Sequence, residues 1–172
     1  VAGANVVVDP GVSHTLQVAW ISPPDLAPDT ADKRRRDLIE NLGLSVLNRR
    51  FSAIERGASP PFLNAGATRY EQDDAALVAL IGVSADPGRW REALTAAEQE
   101  QRRIVQYGVR QGELDREIEE IRAALKAQVA GAATRRPADL ANEVIESLND
   151  QSVVTSPADV LPAFDEAVKG VK

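Results

Sequence analysis

Residues 14–21 alternate cleanly, with Leu16, Val18 and Trp20 on one side and Thr15 and Gln17 on the other. Period two is the mark of a half-buried strand, because successive side chains point to opposite faces of a sheet. Ser22-Pro23-Pro24-Asp25 ends the run, since neither proline can donate to a ladder. Ahead of it, the β-branched run Val6-Val7-Val8, closed by Asp9-Pro10-Gly11, predicts a further short strand. Over residues 30–56 the spacing becomes helical, with Leu38, Leu42, Val46, Leu47, Phe51 and Ile54 in one stripe. Asp29 or Thr30 supplies the N-cap, and Gly57 with Pro60-Pro61 stops the helix.

Residues 62–70 and 75–84 read as two strands around the polar turn Glu71-Gln72-Asp73-Asp74, so an antiparallel hairpin is predicted. The second strand is apolar on both sides, with Leu77, Ala79, Ile81 and Val83 opposite Val78 and Leu80. That pattern predicts a central strand covered on both faces. A helix over residues 86–108 follows, with Asp86 as N-cap, Pro87 at the first helical position and a stripe of Trp90, Leu94, Ala97 and Ile104. After Val109 come Leu114, Ile118, Ile121, Leu125 and Val129, spaced four, three, four and four. The two helices are predicted to form a bent or antiparallel pair on the sheet, and both tryptophans, Trp20 and Trp90, lie on apolar stripes that assign them to the core. Shorter helices are predicted over residues 137–149 and 157–168. The sum is a single α+β domain over residues 1–172, a two-layer sandwich in which long helices cover an antiparallel sheet, with a helical C-terminal tail over residues 137–172.

Charge narrows the function classes. A net charge of −6 opposes nucleic-acid binding, which needs a basic face to displace counterions. The basic run Lys33-Arg34-Arg35-Arg36 is flanked by Asp29, Asp32 and Asp37, which marks it as a solvated first helical turn, with a docking surface for another protein segment as the alternative. No apolar run approaches the roughly 20 residues that span a bilayer. The chain has no cysteine, so disulfides and thiolate chemistry are excluded.

His14 is the only histidine. A zinc site draws its protein ligands from His, Cys and carboxylates, so a chain without Cys and with one His is poorly equipped for one, and Ser-His-Asp catalysis is disfavoured for the same reason. Glu113, Asp115, Glu117, Glu119 and Glu120 read as a solvated helix face, with Arg116–Glu120 and Glu119–Arg122 at ion-pair spacing. No glycine-rich phosphate loop is present. No catalytic, cofactor-binding or metal-binding residue is assigned to this chain.

Several runs occur in a telling order: the strand 14–21, then Leu47-Asn48-Arg49-Arg50-Phe51, then Pro61-Phe62-Leu63-Asn64-Ala65-Gly66, then the apolar strand, then Pro87-Gly88-Arg89-Trp90-Arg91-Glu92-Ala93-Leu94. Gly108-Val109-Arg110-Gln111-Gly112-Glu113-Leu114 closes the series at a junction between two helices. In this order, from about His14 to Val168, the chain resembles the non-catalytic, second-type domain of the insulinase/pitrilysin zinc metallopeptidases, bacterial two-repeat members in particular. The resemblance implies a zinc motif His-x-x-Glu-His in the first domain of a longer parent chain. That motif is absent from this sequence, so the family's catalytic and zinc-binding residues carry over to no position here. Some members hold substrate with an Arg and a Tyr from a late domain. Residues 55–62 correspond, and Phe62 stands where the Tyr would be, a departure that weakens any carry-over of substrate clamping.

What the resemblance implies is a structural, substrate-enclosing wall of a metalloendopeptidase chamber. Zinc is expected in the parent's first domain and not in this segment. The implied partners are the other domains of the same chain and a peptide substrate, and the implied compartment is the bacterial cell envelope, with the cytoplasm as alternative. A strand and a helix are implied ahead of Val1. The stretch Val153-Val154-Thr155-Ser156-Pro157 looks like the link after a second domain, in the first half of the parent. The alternative function is an inactive assembly or interaction domain of a peptidase-like protein.

Overall fold

The computed structural model describes residues 15–72 and 74–172. The expected strand at Val6-Val7-Val8, and His14, lie outside the described residues. The elements in order are β1 (Thr15–Ser22), α1 (Ala31–Glu55), β2 (Asn64–Gln72), β3 (Ala76–Ser84), α2 (Trp90–Tyr107), α3 (Gln111–Gly131), a 3-10 turn at Ala132–Thr134, α4 (Pro137–Asn149) and α5 (Pro157–Ala167). Thr30 caps α1 by accepting from the Lys33 N–H, and Ser156 caps α5 by accepting from the Asp159 N–H.

β2 and β3 form the expected antiparallel hairpin, and β1 pairs with the other side of β3, so the sheet order is β1-β3-β2. Register places Leu16, Val83 and Ala65 in one row and Val18, Ile81 and Ala67 in the next. This face carries α1 and α2: Ala65, Ala67, Ile81 and Val83 join Leu47, Phe51, Phe62, Ala93 and Ala97 in one buried cluster. Phe51 and Phe62 meet edge to face, with ring centroids 6.1 Å apart and planes at 88°. The α+β architecture, an antiparallel sheet covered by long helices, is the one expected.

Four expectations need correction. β3 is central, but Val78 and Leu80 on its second face are only half-buried and belong to neither buried cluster. Their shielding is sideways, from the cross-strand neighbours Ile21 and Tyr70 beside Val78. The stripe of α1 is in fact two opposite faces. Leu42 and Phe51 are nine residues apart, which is two and a half turns, so Leu47 and Phe51 meet the sheet while Leu42 meets Leu114, Ile118 and Phe164 of α3 and α5. For the same reason α3 is not paired with α2 on the sheet; it packs behind α1 against α5. Gly108 at φ +71, followed by the extended Arg110, swings the chain to that side.

The fourth concerns the start of α2 and the tryptophans. Asp86 does not cap it: Asp86-Pro87-Gly88 forms a turn closed by Arg89 N–H to Asp86 O at 3.1 Å, and Gly88 at φ +85 interrupts the helical backbone. Trp90 therefore falls in the first turn and is exposed, with the Arg91 guanidinium 4.3 Å over its ring. Ala93 and Ala97 form the buried stripe instead, their small side chains letting α2 approach β3. Trp20 is 49% exposed, on the edge strand β1. Neither tryptophan is a core residue.

Candidate functional site

The run Leu47-Asn48-Arg49-Arg50-Phe51 sits in the C-terminal half of α1, and its side chains are divided between the sheet, α2 and α3. Leu47 and Phe51 enter the sheet-side core. Asn48 reads the backbone of the edge strand β2: its Oδ1 accepts from Ala67 N at 2.7 Å and its Nδ2 donates to Ala67 O at 2.9 Å. That pair of bonds satisfies backbone groups an edge strand would otherwise leave open.

Arg49 donates to Glu117 and Glu120 of α3. Arg50 makes a two-point contact with Glu113, at 2.8 Å from Nε and 2.6 Å from Nη2, and donates from Nη1 to Glu100 of α2 at 3.1 Å. Glu100 also meets Arg103 Nε at 3.2 Å. Two adjacent arginines thus join three helices. Glu117 is 6% and Glu100 8% exposed, so the expected solvated carboxylate face is corrected at Glu117. Its charge is buried because Arg49 is there to meet it. The expected Arg116–Glu120 and Glu119–Arg122 pairs are both present on the outer side of α3. A signal for the buried pairs does exist in the sequence: two arginines between Leu47 and Phe51 fall inside an apolar stripe, where charge persists only with partners.

The basic run is also corrected. Lys33 Nζ donates to Asp25 O at 2.8 Å and Ala27 O at 3.2 Å, holding the loop before α1. Arg34 pairs with Asp29 and donates to Val153 O at 2.7 Å, and Arg35 Nε donates to Ala167 O at 3.1 Å. The segment it docks is the chain's own C-terminal stretch. Phe62, where a substrate-clamping tyrosine would stand in the family, is 2% exposed and packed on Phe51, so its ring faces the interior.

The Arg50 guanidinium holds the Glu113 carboxyl down to about 2, against an ordinary 4.5, with the Arg110 N–H adding to the effect. Arg34 does the same for Asp29, to about 2 from 3.8, helped by the Val153 N–H. A carboxyl whose folded pKa is depressed contributes stability that is complete above its unfolded value and lost as pH falls toward the folded one. Unfolding in urea should therefore show stability constant from about pH 7 to 5 and falling by about 2–3 kcal/mol between about pH 4.5 and 2, after discounting for partial exposure. Stability unchanged at about pH 2.5 would show that these pairs are not coupled to folding.

Among the described residues no group of three His, Asp or Glu side chains is placed to hold a metal ion, and no helix is long and apolar enough to cross a membrane.

No family model matches the chain. Over 83 residues, 48% of its length, it is 31% identical to the chloroplastic stromal processing peptidase of Arabidopsis thaliana and 29% identical to that of Pisum sativum. The chain spans 7% of the length of these curated relatives. Its fold superposes on the periplasmic protease PqqL from Escherichia coli with a TM-score of 0.84 at 16% identity, covering 94% of this chain and 18% of that one. A predicted insulinase family protease from Yersinia pestis gives a TM-score of 0.80 at 16% identity, covering 95% of this chain and 35% of that one. The chain has the fold of a domain found in insulinase-family proteases, which bears out the fold implied by the resemblance read from its sequence.

Proposed function

We propose that this chain is a non-catalytic, structural and substrate-enclosing domain of a zinc-dependent metalloendopeptidase of the insulinase/pitrilysin type. The observation that carries the reading is how the residues behind the resemblance are used: Leu47 to Phe51 and Phe62 are all committed to contacts within the domain itself. Such residues build a rigid wall; they do not perform chemistry. The single histidine supports the same reading, because the chain's side chains cannot reproduce the His-x-x-Glu-His ligand set.

In this reading zinc belongs to another domain of the parent, and the partners are that chain's other domains and the enclosed peptide. The envelope is the proposed compartment, supported by the likeness to a periplasmic protease. An enclosing wall works by orienting the peptide and excluding water, and lost positioning alone lowers rates strongly.

The test compares the intact parent, a parent lacking this segment and the isolated segment on one quenched fluorescent peptide, with zinc measured in each. The segment alone should not cleave. The deletion should keep its zinc yet lose about tenfold or more of its kcat/KM. A folded deletion that retains zinc and the parental rate overturns the enclosure role and leaves the inactive assembly domain in its place.

A further inference from the structure

Where α2 ends and α3 begins, the chain turns at Gly108 and the two helices leave a cleft of about 740 Å³ between them. Its volume falls within the ~300–1,000 Å³ of ordinary ligand clefts. Four arginines line it, Arg50, Arg102, Arg103 and Arg110, with two glutamates, Glu100 and Glu113, and Arg102 is already paired at 2.6 Å with Glu98 just outside the lining. In a chain of net charge −6 this is a local excess of the opposite sign.

The two carboxylates are already engaged. Both oxygens of Glu113 accept from Arg50, and the oxygens of Glu100 are divided between Arg50 and Arg103. The arginines are not equally engaged. Arg103, with a side chain 65% exposed, has only that shared Glu100 as a carboxylate partner among the described residues. Arg110 makes no ion pair within 4 Å among them: its backbone N–H donates to Glu113 at 3.0 Å, and its charge acts on that carboxylate from farther off. Beside them Tyr107 is 81% exposed, a planar surface at the cleft wall, and the Gln99 and Gln106 amides can pair with a peptide backbone.

The geometry points to this cleft as a binding site for an acidic peptide segment that presents neighbouring Asp or Glu carboxylates. Each guanidinium fork matches a carboxylate at two points, and the amides and Tyr107 suit the backbone and side chains between. A nucleic acid is disfavoured, because a long polyanion leaving the cleft meets the negative charge of the rest of the chain. The inference stands whether or not the parent cleaves peptides.

The test is fluorescence anisotropy with a labelled decapeptide carrying alternating Glu, and with its Gln counterpart. The titrations use the wild-type chain, Arg103→Glu/Arg110→Glu, and Arg136→Glu as a remote charge reversal, with far-UV circular dichroism confirming that each keeps its helix. The Glu peptide should bind. Its Kd should rise about tenfold or more, ~1.4 kcal/mol, in the double variant and stay within about twofold in Arg136→Glu. The Gln peptide should bind at least about tenfold more weakly. No binding of the Glu peptide, equal binding of the Gln peptide, or equal loss in Arg136→Glu would overturn the site. So would competition by an oligothymidylate of matched charge as effective as that of the unlabelled Glu peptide.

Discussion

Replacing Arg49 with Met should cost about 3–5 kcal/mol of folding stability, because the substitution strands a buried charge. Glu117 is 6% exposed, and Arg49 is its only ion-pair partner among the described residues. Methionine fills much of the arginine stem's volume, so the loss is electrostatic and not a cavity. Glu120, the second carboxylate on Arg49, is exposed and keeps Arg116 at 3.3 Å, so it contributes little to the cost. The double variant Arg49→Met/Glu117→Leu removes both charges and should recover most of the loss, since a well-packed apolar pair is often as stable as a buried ion pair. Urea unfolding of the single and double variants measures both terms. A single-variant cost below about 1 kcal/mol, or a double variant no better than the single, would mean that Glu117 is not a buried charge in solution.

Ile118→Asp should destabilise the chain by about 4 kcal/mol or more, whereas Glu119→Ala next to it should change stability by less than about 0.5 kcal/mol. Ile118 is 8% exposed and lies between Leu42 of α1, Leu114 of α3 and Phe164 of α5. An aspartate there enters an otherwise apolar cluster, and Arg122, the cation one turn away at 5.8 Å from the Phe164 ring, is already held by Asp165 and Glu119, so the new charge would pull α3 away from both neighbours. Glu119 points to solvent and pairs with Arg122, a surface pair of small worth. The contrast between adjacent positions tests the phase of α3 without depending on any absolute energy. Equal effects at the two positions would show that α3 presents a different face to α1.

The local pattern was enough to specify the elements themselves. Period two marked β1, helical spacing marked the long helices, the polar turn between β2 and β3 made their pairing antiparallel, and the doubly apolar pattern of β3 put it in the middle. Ile118 was legible as buried from its spacing with Leu114 and Ile121 alone. Periodicity reports which residues share a face; it does not report what meets that face. Whether α1 has one stripe or two opposite faces depends on α3 and α5 arriving behind it. Whether Trp20 and Trp90 are covered depends on where α2 begins and which strand is the edge. The charges show this most clearly. Glu117 looks like its neighbours Glu119 and Glu120 in the sequence, and only contact with Arg49, 68 residues away, makes it a buried partner. The basic run at 33–36 likewise looked solvated until Val153 and Ala167 came within reach of Arg34 and Arg35. A charge is buried only where the fold supplies its counter-charge, and that supply is non-local, so the tertiary structure alone decided it.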